Sequence, residues 1–244
     1  MNRRISFIAA IAALLFLCAT TIFPFPALRK DDLKEARDQA RKASDVFTEV
    51  MNAPDKGIPR DLLDGADCVA VFPSVIKAAF IVGGSGGKGV VSCRDERTGA
   101  WSSPIFLKIG TGSVGFQIGG QATDLVLLGM NRDSAKVFTK DRFELGADAS
   151  VAAGPVGRTA SASTDLPTIE SQFLSYSRSR GAFAGIALKG SVIKRDNDLN
   201  TAAYGPQVSA SDVIGGGMKA PAEVAIFQDT LSKFSPNYSR KRGN

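Results

Sequence analysis

The segment from Trp101 to Gly129 constrains the fold most, because most of it has the pattern of β-strands. Ile105 to Ile109 alternates apolar and other residues, as a half-buried strand does. Leu125 to Leu128 is a continuous apolar run, which indicates a strand covered on both faces. Between these strands, Gly115 and Gly119 share one face of an extended segment, and such a bare face indicates close approach by a sheet, a helix or a ligand. We therefore expect a β-rich core.

Two segments outside this core have the three-four spacing of amphipathic helices. Lys30 to Met51 places a series of apolar residues on one face, and Pro221 to Phe234 does the same near the C-terminus. The polar face of the first segment mixes basic and acidic residues, which favours packing on the domain over the alternative of insertion into lipid. Shorter helices are predicted at Ile58–Leu63, Asp133–Phe138 and Ser209–Ile214.

The fold class follows from many short apolar runs that are separated by turn residues. The chain contains 25 glycines, which cluster and favour tight turns and strand kinks. We expect a single α+β domain over residues 30–236, with a strongly curved antiparallel sheet or partial barrel and flanking helices, followed by a flexible tail at residues 237–244. Further strands are predicted at Cys68–Phe72, Ala78–Val82, Gly89–Arg94, Ala147–Ala153, Arg158–Ser163, Ser171–Ser177 and Ala182–Lys189.

The N-terminus has the pattern of an export signal. Arg3 and Arg4 precede an uncharged run from Ile5 to Leu28, as a basic region precedes the apolar part of a secretory signal. Cleavage after Ala19 is favoured, and an uncleaved signal anchor is the alternative because the uncharged run is long enough to span a bilayer. Residues 1–28 are thus predicted to be a signal peptide or signal anchor. The remainder is expected in the periplasm or at the cell envelope.

Two cysteines, Cys68 and Cys93, remain after such a signal. Outside the cytoplasm they could form a disulfide. Both fall in predicted strands that a third predicted strand separates in sequence. A disulfide and two separate buried thiols are both compatible with this pattern.

Motifs associated with catalysis fail on their context. The chain contains no histidine, so the G-x-S-x-G string at Gly83–Gly87 lacks the base that would activate Ser85. The G-x-G-x-x-G string at Gly110–Gly115 is followed by strand-like residues and not by the helix that a dinucleotide site needs. Neither histidine ligands nor an EF-hand spacing indicates a metal site. We therefore predict that the protein is not an enzyme and uses no cofactor.

Basic residues beside glycines and aromatic residues form the remaining candidate site. Glycine-rich loops expose backbone N–H groups, which bind phosphate together with lysine or arginine; the alternative is solvated charges at hairpin turns. The net charge of +6 suits an anionic surface and does not require nucleic acid. The candidate side chains are Lys77, Lys88, Arg178, Arg180, Lys194 and Arg195, and the candidate close-approach glycines are Gly83, Gly84, Gly86, Gly87, Gly115 and Gly119.

Several blocks in unbroken order between Ile58 and Gly217 resemble the SYLF domain family. They are FPSVIKAAFIVGGSGGKGVV, WSSPIF, GSVGFQIGGQATDLVLL, LGADASVAAGPVGR and YSRSRGAFAGIALKGS, followed by NTAAYG at Asn200–Gly205. The resemblance implies a non-enzymatic module that binds membrane lipids, including phosphoinositides and other anionic lipids in eukaryotic members. Some of those members, which carry SH3 or FYVE modules, also bind and bundle actin.

An export signal and the lack of SH3 or FYVE modules distinguish this chain from those members. Lipid association at the envelope is therefore the better expectation, and actin is not expected as the partner of an exported protein. We predict that the basic residues named above contact anionic lipid head groups. The alternative is a structural or protein-interaction module whose glycines serve packing alone.

Overall fold

The computed structural model describes residues 30–53, 57–79, 82–95, 97–114, 121–156, 171–179, 182–183 and 188–236. The helices in these ranges are α1 (Lys30–Met51), α2 (Arg60–Asp64), α3 (Arg132–Thr139), α4 (Asn197–Tyr204), α5 (Ala210–Ile214) and α6 (Ala222–Phe234). The strands are β1 (Cys68–Ala79), β2 (Val82–Cys93), β3 (Ile105–Val114), β4 (Gln121–Gly129), β5 (Arg142–Glu144), β6 (Val151–Ala153), β7 (Phe173–Ser179), β8 (Ala182–Phe183) and β9 (Val192–Arg195).

These strands form one sheet in the order β5-β9-β3-β2-β1-β4-β7-β6, with β8 paired to β7. The sheet curls strongly into a half-barrel with flanking helices, so the predicted α+β class and curved sheet are confirmed. The sheet is mixed, however, because β6 and β7 run parallel. A parallel pair needs a long crossover, and residues 154–172 supply that length between the two strands.

Two apolar clusters lie on opposite faces of the sheet. The first joins Val126 and Leu128 to apolar side chains of α1, α4 and α6. The second joins Leu125 and Leu127 to α3 and α5. All four side chains from Leu125 to Leu128 are fully buried, which confirms the prediction of a strand covered on both faces.

Helix α1 packs tightly on the sheet because its inner face consists largely of alanine. Ala36, Ala40 and Ala43 are fully buried, and small side chains allow the helix backbone to approach the strands. Phe47 then meets Phe234 of α6 edge to face, with ring centroids 5.8 Å apart. The helix is therefore part of the core, as its mixed polar face predicted.

The segment that was expected to form two strands and a glycine-rich loop forms a single hairpin of two long strands. The predicted strand Cys68–Phe72 lies within β1. Of the predicted strand Ala78–Val82, the first two residues belong to β1 and Val82 belongs to β2, and the predicted loop residues Gly83 to Lys88 lie within β2. A register shift in β1 between Phe72 and Val75 interrupts the pairing. Sequence patterning missed the continuity because glycine pairs with glycine across β2 and β3 and leaves no side-chain alternation to detect.

The hairpin places Cys68 directly opposite Cys93, and the two residues are joined by a disulfide. They lie in neighbouring strands, so no third strand separates them as the sequence suggested. Both side chains are fully buried in the second apolar cluster. The disulfide thus links the first residue of β1 to the last residue of β2, within the core.

Three further predictions about strands need correction. Ile105, Phe106 and Leu107 are all buried, so the start of β3 is covered on both faces instead of one. The strand predicted at Ala147–Ala153 begins only at Val151, and the short strands β5 and β9 were not predicted. Strands of three or four residues are defined by their hydrogen-bonded neighbour, which a local pattern does not reveal.

Several predictions lie outside the described residues. They concern Gly115, Gly119, Arg180, the strand at Arg158–Ser163, the N-terminal signal and the C-terminal tail. No helix in the described ranges is long and apolar enough to span a membrane.

Candidate functional site

Helix α1 carries its acidic and basic residues on different edges. At 3.6 residues per turn, one edge of the helix carries Asp31, Glu35, Asp38, Asp45 and Glu49 together with Lys42, while the other basic residues fall along the neighbouring edge. The basic edge consists of Lys34, Arg37 and Arg41. Lys34 and Arg41 are exposed and Arg37 is partly exposed. The two edges adjoin, and Arg37 Nε lies 3.6 Å from Asp38 Oδ1 across their boundary.

The sheet contacts the acidic edge at two points about four helical turns apart. Glu35 accepts a hydrogen bond from Lys88 Nζ on β2 at 2.5 Å. Glu49 accepts one from Arg178 Nη1 on β7 at 2.7 Å. Between these points, Gln39 Nε2 donates to the backbone carbonyl of Lys88 at 2.8 Å. These contacts orient α1 about its own axis, and the basic edge remains on the solvent side.

A row of basic residues crosses the sheet next to α1. Lys88 on β2 lies opposite Lys108 on β3, Lys108 lies opposite Lys194 on β9, and Lys194 lies opposite Arg142 on β5. Residues directly opposite each other in antiparallel strands share a face. At ordinary strand spacing, the four positions span about 14 Å. We call these four residues the basic row; Lys194 and Arg142 are exposed at its outer end.

Asp196 neutralises the inner end of the basic row. Its side chain is fully buried, and Oδ1 lies 2.9 Å from Lys108 Nζ while Oδ2 lies 3.7 Å from Lys88 Nζ. Asp196 is also the N-cap of α4, where it accepts a hydrogen bond from the Leu199 backbone. Asp198 adds a second carboxylate 3.6 Å from Lys108 Nζ. The inner lysines are thus held by carboxylates, whereas the outer end of the row is open.

Asn200 explains why the NTAAYG block stands beside this row. Its side-chain amide accepts a hydrogen bond from the Phe106 N–H at 2.9 Å and donates to the Phe106 carbonyl at 2.8 Å. Strand β9 ends its pairing with β3 opposite Leu107. The Asp196 N–H also donates to the Phe106 carbonyl at 2.9 Å, so the Asn200 side chain adds two hydrogen bonds at the end of the ladder and fixes α4 against β3.

The structure brings only some of the predicted basic residues together. Lys88 and Lys194 belong to the basic row, whereas Arg178 lies three strands from Lys88 and pairs with Glu49. Arg195 follows Lys194 on the strand, so it points to the other face, where it pairs with Asp141. Lys77 lies on β1 opposite Ser85 and Gln121, and its side chain is outside the described part of the structure.

Sequence reasoning missed Lys108, Arg142 and the basic edge of α1. The spacing of Lys34, Arg37 and Arg41 by three and four residues is a detectable signal, because such residues share one edge of a helix. Lys108 and Arg142 have no comparable local signal. They join Lys88 and Lys194 only through strand pairing.

The predicted close approach to the glycines is made by the sheet itself. A Cβ on Gly87 would lie 3.2 Å from the Val75 Cα, and one on Gly84 would lie 3.2 Å from the Thr111 carbonyl oxygen. Gly86 has ordinary room, with its nearest neighbour at 3.6 Å. The tightest of these β2 positions is Gly89, where a Cβ would lie 2.3 Å from the Phe72 ring. Gly89 was not among the predicted glycines.

Ser85 lies within strand β2 opposite Thr111, not on the sharp strand-to-helix turn that a hydrolase elbow requires. Among the described residues, no group of three or more acidic or cysteine side chains is arranged to hold a metal ion. The arrangement that the site does offer is an array of cations beside an exposed helix edge.

The ion pair between Lys88 and Glu35 makes a testable prediction about pH. Burial alone would lower the pKa of Lys88, but the hydrogen bond to Glu35 and the carboxylates of Asp196 and Asp198 raise it above 10.5. Because the folded pKa is raised, the stabilisation is complete below 10.5 and is lost as pH rises through the folded pKa. Glu35→Gln should destabilise the protein by less than about 1 kcal/mol at pH 8 and by almost nothing at pH 12.

Urea denaturation at both pH values measures this difference. Asp45→Asn is the matched control, since Asp45 is exposed on the same helix and is in no ion pair among the described residues. The change in the free energy of unfolding caused by Asp45→Asn should be the same whether or not Lys88 is ionised. An equal loss for Glu35→Gln at both pH values would contradict the assignment.

Comparisons with known proteins identify relatives across nearly the whole chain. A family model described as "Ysc84: Las17-binding protein actin regulator" matches residues 110–234. The SH3 domain-containing YSC84-like protein 1 of Rattus norvegicus is 35% identical over 217 residues, which cover 88% of this chain and 62% of the relative. LAS seventeen-binding protein 3 of Saccharomyces cerevisiae is 31% identical over 223 residues, covering 90% and 48%. No solved structure matches.

Proposed function

This chain belongs to the Ysc84 family, also called SYLF, and from that membership we propose that it is a non-enzymatic module that binds anionic lipid at a surface of the cell envelope. The chain spans about three-fifths of the length of the rat relative. The activities of the whole relatives therefore enter only as part of this proposal. The family description names an actin regulator and not a catalyst.

One observation carries the proposal: two glutamates of α1 pair with cations of the sheet, while the basic edge of the helix faces solvent. Glu35 and Glu49 are engaged by Lys88 and Arg178. On the basic edge, Arg37 lies 3.6 Å from Asp38 Oδ1, with its side chain 40% exposed, and Lys34 and Arg41 are exposed. Basic residues near an anionic membrane each contribute about 1 kcal/mol of attraction. Leu33, 37% exposed at the start of the same helix, adds an apolar contact.

The sequence before α1 supports a location at the envelope. An uncharged run from Ile5 to Leu28 follows Arg3 and Arg4, and α1 begins at Lys30. We propose that this run directs export and that a cleaved signal is the principal form. If this run is retained as an anchor, α1 begins two residues beyond it and is held near the lipid surface.

The basic edge provides the decisive test. Arg37→Gln combined with Arg41→Gln should weaken binding to phosphatidylglycerol vesicles by about 2 kcal/mol, or roughly thirtyfold, in co-sedimentation at low salt. The difference should shrink at high salt, because screening already removes the attraction. Lys189→Gln combined with Lys219→Gln is the matched control, since both side chains are exposed and the net charge changes equally.

Two outcomes would contradict the proposal. Wild-type protein that ignores phosphatidylglycerol vesicles at every salt concentration would exclude a lipid function. A control variant that loses as much affinity as the Arg37 and Arg41 variant would show that net charge and not the basic edge is responsible.

A protein partner is the second candidate, and the names of the relatives favour it. The yeast relative is named for binding LAS seventeen, and the family description names the same partner. For this chain the corresponding proposal is an acidic protein on the basic edge of α1. Under this second proposal, the Arg37 and Arg41 changes abolish binding to the acidic protein. Neither wild type nor the Arg37 and Arg41 variant binds phosphatidylglycerol vesicles.

A further inference from the structure

The outer end of the basic row places two cations directly opposite each other. Arg142 on β5 is in register with Lys194 on β9, and both residues are exposed. Residues in register across antiparallel strands have Cα atoms about 4.5 to 5.5 Å apart, so both side chains stand on one face within reach of a single ligand. Like charges placed in this way destabilise a sheet. The pair therefore opposes folding unless an anion binds between the two cations.

Strand β5 is a place where such repulsion matters. It comprises only Arg142–Glu144 and lies at the end of the strand order, so β9 is its single partner among the described strands. The two cations form one of its three register pairs. Phe143 is buried in the second apolar cluster on the other face of the sheet. Packing on that face must therefore offset a repulsive pair on the exposed face.

Carboxylates of the described residues do not neutralise the pair. Asp141 precedes Arg142 in sequence, but it pairs with Arg195 on the other face. Glu144 shares a strand and a face with Arg142, yet within the described ranges it forms no ion pair with either cation. The two charges are thus available to an anion from outside the described part of the chain.

Lys108 stands next to the pair but contributes less charge. It lies opposite Lys194, and its Nζ is 2.9 Å from the buried Asp196 and 3.6 Å from Asp198. These carboxylates compensate its charge, so the outer pair carries the site. On the same face, a Cβ on Gly110 would have its nearest neighbour at 3.9 Å. The described residues therefore leave room for a ligand beside the pair.

We propose that Arg142 and Lys194 bind the phosphate of a phosphate monoester between them. A monoester carries a charge of about −1.5 to −2 at pH 7, so one group neutralises both cations, whereas a carboxylate or a phosphodiester neutralises one. The planar guanidinium suits two phosphate oxygens, and the ammonium group suits another. A soluble phosphorylated compound and a monoester lipid head group share this chemistry. The site lies on other elements than the basic edge of α1 and does not depend on the function proposed for that edge.

Urea denaturation of the full chain in increasing methyl phosphate, at constant ionic strength, tests the site. The wild-type midpoint should rise, because the ligand binds only the folded state. Arg142→Gln and Lys194→Gln should each weaken the apparent affinity about tenfold or more, because a charge-assisted hydrogen bond is lost. Without ligand, each variant should unfold at a higher urea concentration than wild type, because the repulsion is removed. A purely structural role for these residues predicts the opposite shift.

Matched probes and variants complete the test. Lys219→Gln, an exposed change of equal charge, should respond to methyl phosphate as wild type does, and the Arg37 and Arg41 variant should do so too, which separates this site from the basic edge of α1. Dimethyl phosphate, a singly charged diester, should bind more weakly than methyl phosphate.

Vesicles identify the source of the phosphate. A preference for phosphatidic acid over phosphatidylglycerol vesicles that Arg142→Gln abolishes would support a lipid head group. A methyl phosphate response without that preference would support a soluble ligand. Wild-type protein that does not respond to methyl phosphate would overturn the site, as would equal responses of wild type, Arg142→Gln and Lys194→Gln.

Discussion

Gly89→Ala should destabilise the protein by about 3 kcal/mol, the upper end of the usual cost of overpacking a core. The added Cβ would lie 2.3 Å from the Phe72 ring and 2.6 Å from the Val71 carbonyl oxygen. Phe72 is fully buried, so its ring cannot turn aside into solvent. The carbonyl belongs to the backbone of the paired strand, and the two central strands would have to separate to make room.

Gly86→Ala is the matched control for this prediction. Gly86 lies three residues earlier on the same strand, and the nearest atom to its added Cβ is 3.6 Å away, an ordinary contact. It should change stability by less than about 0.5 kcal/mol. Urea denaturation of the two variants measures the difference. Equal stability of Gly89→Ala and Gly86→Ala would show that β1 and β2 are not packed as described.

Removal of the disulfide should have an effect of similar size. Cys68 and Cys93 are separated by 25 residues, and closing a loop of that length stabilises a protein by about 3 kcal/mol through restriction of the unfolded chain. Changing both residues to alanine should lower the free energy of unfolding by about that amount. The cooperative transition should remain, because the surrounding strands β1 and β2 keep their other neighbours.

Reductant provides the control. Addition of a strong reducing agent to urea-unfolded wild-type protein should bring its refolding stability close to that of the double alanine variant. The double variant itself should not respond to the reductant. If the double variant unfolds at the same urea concentration as the oxidised wild type, the cross-strand bond makes no contribution in solution.

The helices illustrate what local pattern predicts well. The three-four spacing in Lys30–Met51 and Pro221–Phe234 predicted α1 and α6 to within a residue at each end. A helix is held by hydrogen bonds between residues four apart, and its apolar face repeats at short range. The continuous apolar run from Leu125 to Leu128 likewise predicted a strand buried on both faces, because burial on two faces leaves no polar position.

The glycine-rich hairpin illustrates where local pattern fails. Residues 83 to 88 have almost no side chains to alternate, so they had the appearance of a loop, yet they lie in β2. Their conformation depends on the Gly84–Gly112 and Gly86–Gly110 pairings with β3. The partner residues on β3 are more than twenty positions away along the chain. Which residues pair is therefore determined only when the sheet assembles.

The residues of the site divide in the same way. The chain's own pattern was sufficient to indicate basic residues beside glycines, a helix of mixed charge and the family resemblance, since each is a matter of residue identity and short spacing. Tertiary structure alone decided which charges remain available. It buries Asp196 between Lys88 and Lys108 and turns Glu35 and Glu49 toward the sheet. Ion pairs act over a few ångströms of space, and contacts between residues 53 or 129 positions apart in sequence exist only once the chain has folded.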